Sequence, residues 1–217
     1  MSSFHPNYRN KPELRITSLL RVTRNATATP PSGELPPELG LVCNDVSVEP
    51  PSHIIAAYST IKTRVTLFPV HALVISANCA HVPTLPRSKP KTPSSPGGTV
   101  MIPILSLRIP CLTTFPSLLS YLYTKHIDQL LFELLPAQNT TPIAQLARAY
   151  ATRLSVKELF IQVQKVYGLW GNVAALGVFD DKLFQALEMA WEVLLNALAI
   201  KSGQSVDAAI NVDGDLA

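Results

Sequence analysis

The sequence predicts an α+β domain, and three observations carry that expectation. Runs rich in β-branched residues fall between residues 41 and 109, and leucine faces at helical spacing dominate from residue 113 onward. The nineteen prolines gather in loops instead of spreading evenly. With 47% apolar and 15% charged residues, a chain of 217 residues can bury one sizeable core and still keep solvated flanks.

Residues 1–40 show no sustained period. Arg9, Lys11, Arg15, Arg21 and Arg24 are opposed there by Glu13, before the stretch TATPPSGELPPELG, and the segment reads as a largely disordered basic, proline-rich arm. LVCNDVSV (41–48) is expected to form a short strand, and 54–58 is a brief apolar patch of undefined type. TRVTLF (63–68) reads as a strand running into Pro69. In VHALVISANCA, Val70, Leu73, Val74 and Ala77 stand at helical spacing, which predicts a short helix. A proline-rich loop covers 83–99, and VMIPILSLRI (100–109) returns to strand character. Pro103 there suggests an edge position or a bulge.

Thr113 or Thr114 can cap the next helix, whose Phe115, Leu118, Leu119 and Leu122 follow i, i+3, i+4, i+7 with Pro116 in the first turn. IDQLLFELLP predicts a helix ended by Pro136, and Thr141-Pro142 a helix start with proline at the first helical position. Ser155 and Glu158 form a capping-box pattern for a helix of about two to three turns. Asp180 or Asp181 opens the last helix, with Leu183, Phe184, Leu187, Trp191, Leu194, Leu195 and Leu198 on an apolar face and Gly203 as its stop. That face is long enough to demand a partner surface, in this chain or another. The expected organisation is an arm 1–40, a domain 41–201 with a helical extension 155–201, and an acidic flexible tail 202–217.

The 22 residues between Arg64 and Arg87 hold no Lys, Arg, Asp or Glu. Pro69, Pro83 and Pro86, with His71, Ser76, Asn78 and His81, argue for a buried core segment over a membrane span. The beginning MSSFHPNYRNKPELR lacks the apolar run of a signal peptide, so the sequons at Asn25 and Asn139 read as chance. Three widely spaced cysteines (Cys43, Cys79, Cys111) without a CxxC fit a reducing compartment.

Chemistry-bearing patterns are sparse. Cys79-x-His81 is the closest Cys/His pair, with no second pair to complete a zinc site, although His53, His71 and His126 could converge in space. There is no P-loop, no GxGxxG and no G-x-S-x-G among nine glycines. Neither an enzyme activity nor a cofactor or metal is expected. A ligand site using His71, Cys79 and His81 is an alternative of another class. Asp180-Asp181 and Glu188/Glu192 read as helix-terminal and exposed-face charge, and Tyr121 and Tyr123 as core. Thr92-Pro93 and Ser95-Pro96, after Lys89 and Lys91, suit proline-directed phosphorylation of Thr92 and Ser95, against the plain-spacer reading of the loop.

Three segments resemble BTB/POZ domains. FPVHALVISANCA is similar to their strand-to-helix junction, PCLTTFPSLLSYLYT to the helix that opens on a Phe and ends in Tyr-Thr, and IAQLARAYATRL to the helix that follows. The resemblance implies a BTB/POZ-like small sheet flanked by helices. His71 would stand at the junction, and Leu73, Phe115, Leu118, Leu119, Leu122 and Tyr123 would face the core. The usual Ser-x-x-Phe after the first helix is replaced by CAHVPTLP and the proline loop, and CNDV (43–46) lies upstream of the Cys-Asp-Val opening it resembles. The same segments, with YGLWGNVAALGVFD, resemble still more closely the clampless-type proteins of basidiomycete fungi. That resemblance implies a nuclear, non-enzymatic regulator of mating and clamp-cell formation that binds proteins such as mating-type homeodomain factors or associated transcription regulators. Trp170 is then a candidate contact, and a homodimer a candidate assembly. Other readings are a BTB-type adaptor of a cullin ubiquitin ligase and direct DNA binding through the basic arm, the latter not favoured by a net charge of +3. No membrane partner is expected.

Overall fold

The computed structural model describes residues 35–59, 62–135 and 142–203. Most of the arm and the tail beyond Gly203 lie outside these residues, as do Pro136 and Thr141. The order is β1 (Glu38–Cys43), β2 (His53–Ser59), β3 (Lys62–Val70), α1 (Ala72–Asn78) and β4 (Gly98–Arg108). Five helices follow: α2 (Phe115–Thr124), α3 (Ile127–Leu134), α4 (Ile143–Arg153), α5 (Val156–Leu176) and α6 (Asp181–Lys201). The expected mixed α+β class holds.

The sheet runs β1-β4-β2-β3. β2 and β3 form an antiparallel hairpin, and β4 returns parallel to β2 through α1 and the proline loop. The patch 54–58 is thus a central strand. It shows no alternation because both faces are buried up to Ala57: Ile55 and Ala57 join the helix-side core, while Ile54 and Ala56 join a second cluster with Leu67, Val100 and Ile102.

Several sequence expectations are corrected here. β1 begins at Glu38, so 38–40 belong to the sheet and not to the arm, while 44–48 leave it in a turn where Asp45 Oδ1 accepts from the N–H of Ser47. Pro103 forms no bulge, and the side of β4 that its nitrogen faces has no strand partner at that position, which is the expected edge position. β4 pairs with β1 over Gly98–Pro103 and with β2 from Ile104 to Arg108, so the proline stands where the strand changes partners and its missing N–H costs little. Pro142 is the N-cap of α4 and not its first helical residue, because its ψ of 143° is still extended. The capping box is present, Glu158 N donating to Ser155 Oγ (3.3 Å) and Ser155 N to Glu158 Oε2 (2.8 Å). The helix it opens, however, runs 21 residues instead of two to three turns. Gly168 and Gly171 do not break it. A Cβ on Gly168 would fall 2.5 Å from Cys111 Sγ, so this glycine lets the 110–111 loop lie against the helix, while a Cβ on Gly171 would make only ordinary contact with Pro110 at 3.5 Å.

Candidate protein-interaction surface

One core runs from the sheet into the carboxy-terminal helices, and α2 is its joint. Phe115 meets Phe68 of β3 edge-on at 5.0 Å, while Leu118, Leu119, Tyr121 and Leu122 are buried alongside it. Thr114 precedes the helix without capping it. Its hydroxyl is drawn to Asn172, a fully buried residue of α5 whose Oδ1 accepts the N–H of Cys111 (2.8 Å). The Nδ2 of Asn172 donates to the Cys111 carbonyl (2.7 Å) and to Thr114 Oγ1 (3.0 Å).

His71 stands at the junction between β3 and α1. Its N–H donates to Tyr123 Oη (2.7 Å), that hydroxyl donates to His71 Nδ1 (3.0 Å), and Nε2–H points to the Glu49 carbonyl (3.4 Å). Tyr123 is half-buried, and burial pushes its phenol up to about 12 against the opposing His71 N–H. Leu73, expected in the core, is 81% exposed. The expected helical phase was counted from Val70, which belongs to β3. The two-turn α1 turns Ile75 inward instead.

The histidines and cysteines do not converge. His53 is buried, with Nε2–H donating to the Pro86 carbonyl (2.8 Å) and Nδ1 facing Ser52 Oγ (3.0 Å). His126 is exposed, 3.7 Å from Asp128. Cys79 is buried, its thiol pushed up to about 11 by that burial despite the opposing charge of Lys125. His81 lies over Gly177, where a Cβ would meet the imidazole at 2.8 Å, and its N–H donates to the Leu176 carbonyl. The Cys79–His81 segment therefore docks onto the turn between α5 and α6. Among the described residues no three His, Cys, Asp or Glu side chains gather to hold a metal. The candidate trio His71, Cys79 and His81 is taken up by these packing roles.

A second polar joint lies at that turn. Asp180 caps α6, its Oδ1 accepting from Leu183 N (3.4 Å) and its Oδ2 from Tyr121 Oη (2.9 Å) and Lys125 Nζ (3.0 Å). Burial alone would raise this carboxyl, but the Lys125 and Tyr121 hydrogen bonds outweigh it and hold Asp180 below its usual range. Lys125 itself closes α2 in the left-handed region, at φ 56°.

The feature that stands apart from this packing is the outer side of the α5–α6 hairpin. On α5, Phe160 (53% exposed) and Tyr167 (71%) lie two turns apart on the face opposite buried Leu159, Val166, Leu169 and Val173. Trp170, half-buried, meets Phe184 of α6 at 6.3 Å, and Tyr167 meets Trp191 at 6.5 Å. Leu195 continues the line one turn beyond Trp191, and Phe179 in the intervening turn is 92% exposed. The result is an aromatic stripe along two helices that nothing in the described chain covers, with exposed Glu188 and Glu192 on the α6 side. α6 is also apolar enough, by length and composition, to cross a membrane (mean hydropathy 1.4), yet Leu183, Leu187, Ala190, Val193 and Leu194 are buried in this core. The sequence named Trp170 as a candidate contact and placed Phe184, Trp191 and Leu195 on an apolar face in need of a partner. Tyr167 lies beyond the two to three turns expected for α5, and Phe160 lies within them, but its outward direction shows only once the buried face is known.

A family model described as the Clampless protein 1 N-terminal domain matches residues 9–110, and one described as the Clampless protein 1 C-terminal domain matches residues 128–214. Residues 1–8, 111–127 and 215–217 lie outside the two matches, so the gap between them contains α2, the helix that ties sheet to hairpin. No curated protein and no solved structure gave a match. Matched over both of its parts, the chain belongs to the clampless protein family, whose domains are tied to clamp formation and sexual development in fungi.

Proposed function

We propose that this chain is a non-enzymatic protein-interaction module of fungal sexual development. In this reading it acts in the nucleus on mating-type homeodomain factors or their associated regulators, through the aromatic stripe of the α5–α6 hairpin. The observation that carries the reading is the solvent-facing side of α5. A helix exposed to water normally turns charge outward, whereas here Phe160 and Tyr167 point out and both tryptophans of the chain flank them. Aromatic anchors on a rigid pair of helices, rimmed by Glu188 and Glu192, suit an amphipathic partner helix with basic residues beside its apolar face. A BTB/POZ-like core is the matching fold proposal. It is supported by the hairpin β2–β3, α1 beginning after His71, β4 returning parallel to β2, and α2 entering the core through Phe115.

Site-specific photo-crosslinking in mating cells tests the reading. A photoreactive residue in place of Phe160 or Tyr167 is expected to capture a discrete protein partner that the same residue at exposed Met101 of β4 does not. Equal labelling from all three positions would remove the stripe as the binding face.

A further inference from the structure

We propose that the arch between Pro86 and Gly97 is a phosphorylation site for a proline-directed kinase, taking one phosphate on Thr92 and one on Ser95. The arch is held at its two ends and little in between. His53 Nε2–H grips the Pro86 carbonyl at one end (2.8 Å), and Gly97 N donates to the Cys43 carbonyl of β1 at the other (2.9 Å). Ser95-Pro96-Gly97-Gly98 turns back into β4 with Gly98 N on the Ser95 carbonyl (3.3 Å) and Gly97 at φ 87°, the pattern of a type II turn. Pro93 is pressed onto Gly98, where a Cβ would lie 2.5 Å from the proline Cβ. The prolines after the two hydroxyls thus shape the arch, while Thr92 and Ser95 themselves are exposed. Among the described residues neither hydroxyl makes a hydrogen bond, so modifying them breaks nothing that holds the fold.

The chemistry is ordinary phosphoryl transfer from ATP. The γ-phosphorus forms a bond to Thr92 Oγ1 or Ser95 Oγ as its bond to the ADP oxygen breaks, the hydroxyl proton passes to the kinase base, and ADP leaves. Arg87, Lys89 and Lys91 are exposed on the same arch. Two phosphates at about −1.5 to −2 charges each would take these three positive charges to about zero or slightly negative. The whole chain, formally +3, would follow. The arch is therefore a charge switch on the surface beside β1, set without disturbing the core.

The test uses the full folded chain, ATP and a proline-directed kinase, with sites mapped by peptide mass spectrometry. Mapping is needed because Thr29-Pro30 and Thr141-Pro142 are also present in the sequence. Phosphate on Thr92 and Ser95, absent from the T92A/S95A variant, is the expected result, with a melting temperature within about 2 °C of the unmodified chain. Three results would overturn the proposal: phosphate confined to other sites, modification of a free 85–99 peptide but not of the folded chain, or a clear loss of stability on modification.

Discussion

Replacing Asn172 by Leu should unfold the chain well below its normal temperature. The carboxamide makes three hydrogen bonds of 2.7 to 3.0 Å from a fully buried position, and two of them satisfy both backbone groups of Cys111. Leucine fills a similar volume but leaves the Cys111 N–H without a partner, at about 1–3 kcal/mol for a buried unsatisfied group. The Cys111 carbonyl keeps the weak Thr114 hydroxyl contact at 3.4 Å, which recovers part of its loss. The sum is about 3 kcal/mol. For a chain of this size that corresponds to a fall of roughly 6–12 °C in Tm, read by calorimetry with urea unfolding as a check. Asn172→Asp adds a control with a sign. A carboxylate oxygen would replace the donor facing the Cys111 carbonyl, and burial raises that acid's folded pKa above its unfolded value, so the variant's deficit should shrink as pH falls from 7 to 5. A Leu variant within 1 kcal/mol of the parent, or an Asp variant indifferent to pH, would refute Asn172 as the clamp between α5 and the 110–114 loop.

Three further outcomes follow from the same packing. Because the folded pKa of Asp180 is depressed, its contribution is fully present above the unfolded carboxyl value and is lost as pH falls through the lower folded value; acid unfolding of Asp180→Asn should be less steep below about pH 4 than that of the parent, and its α6 less stable at neutral pH. Gly168→Ala should destabilise despite a helix-propensity gain of about 1 kcal/mol, since the new methyl meets Cys111 Sγ and Cβ, and Cys111→Gly should relieve most of that loss in a double-mutant cycle. Leu73→Ala should change stability by less than about 0.5 kcal/mol in urea unfolding, whereas Leu118→Ala, with its side chain wholly buried, should cost about 2–5 kcal/mol.

The contrast between Leu73 and Leu118 also marks what was legible in the sequence. The α2 face could be read because Phe115, Leu118, Leu119 and Leu122 sit on a complete helix with a clear start, so spacing fixed its phase. The α1 face could not, because the apolar run crosses from β3 into a helix of two turns and the period carries no mark of the junction. β2 was hidden for another reason: HIIAA is buried on both faces and so shows no alternation. The length of α5 was underestimated, and its Gly168 answers to Cys111, a residue 57 positions away in the chain, and not to local helix preference. That misjudged length also left Tyr167 outside any expected helix. Phe160 and Tyr167 become one surface with Trp191 only when α5 and α6 are laid side by side, and Trp170 was visible in advance only as an isolated aromatic. The polar joints at Asn172 and Asp180 depend on contacts across 55 to 61 residues, which local sequence does not show even where it marks Asp180 as a helix start.

The stripe is the centre of this account, and its most direct test is complementation. A strain lacking this gene would receive the F160S/Y167S chain, after its melting curve has been matched to the parent's and its cellular level confirmed. Because both side chains project from the folded body, the variant should accumulate and fold normally yet leave clamp cells absent. Clamp formation restored to the parental frequency by that chain would contradict the assignment of the α5–α6 stripe as the working surface.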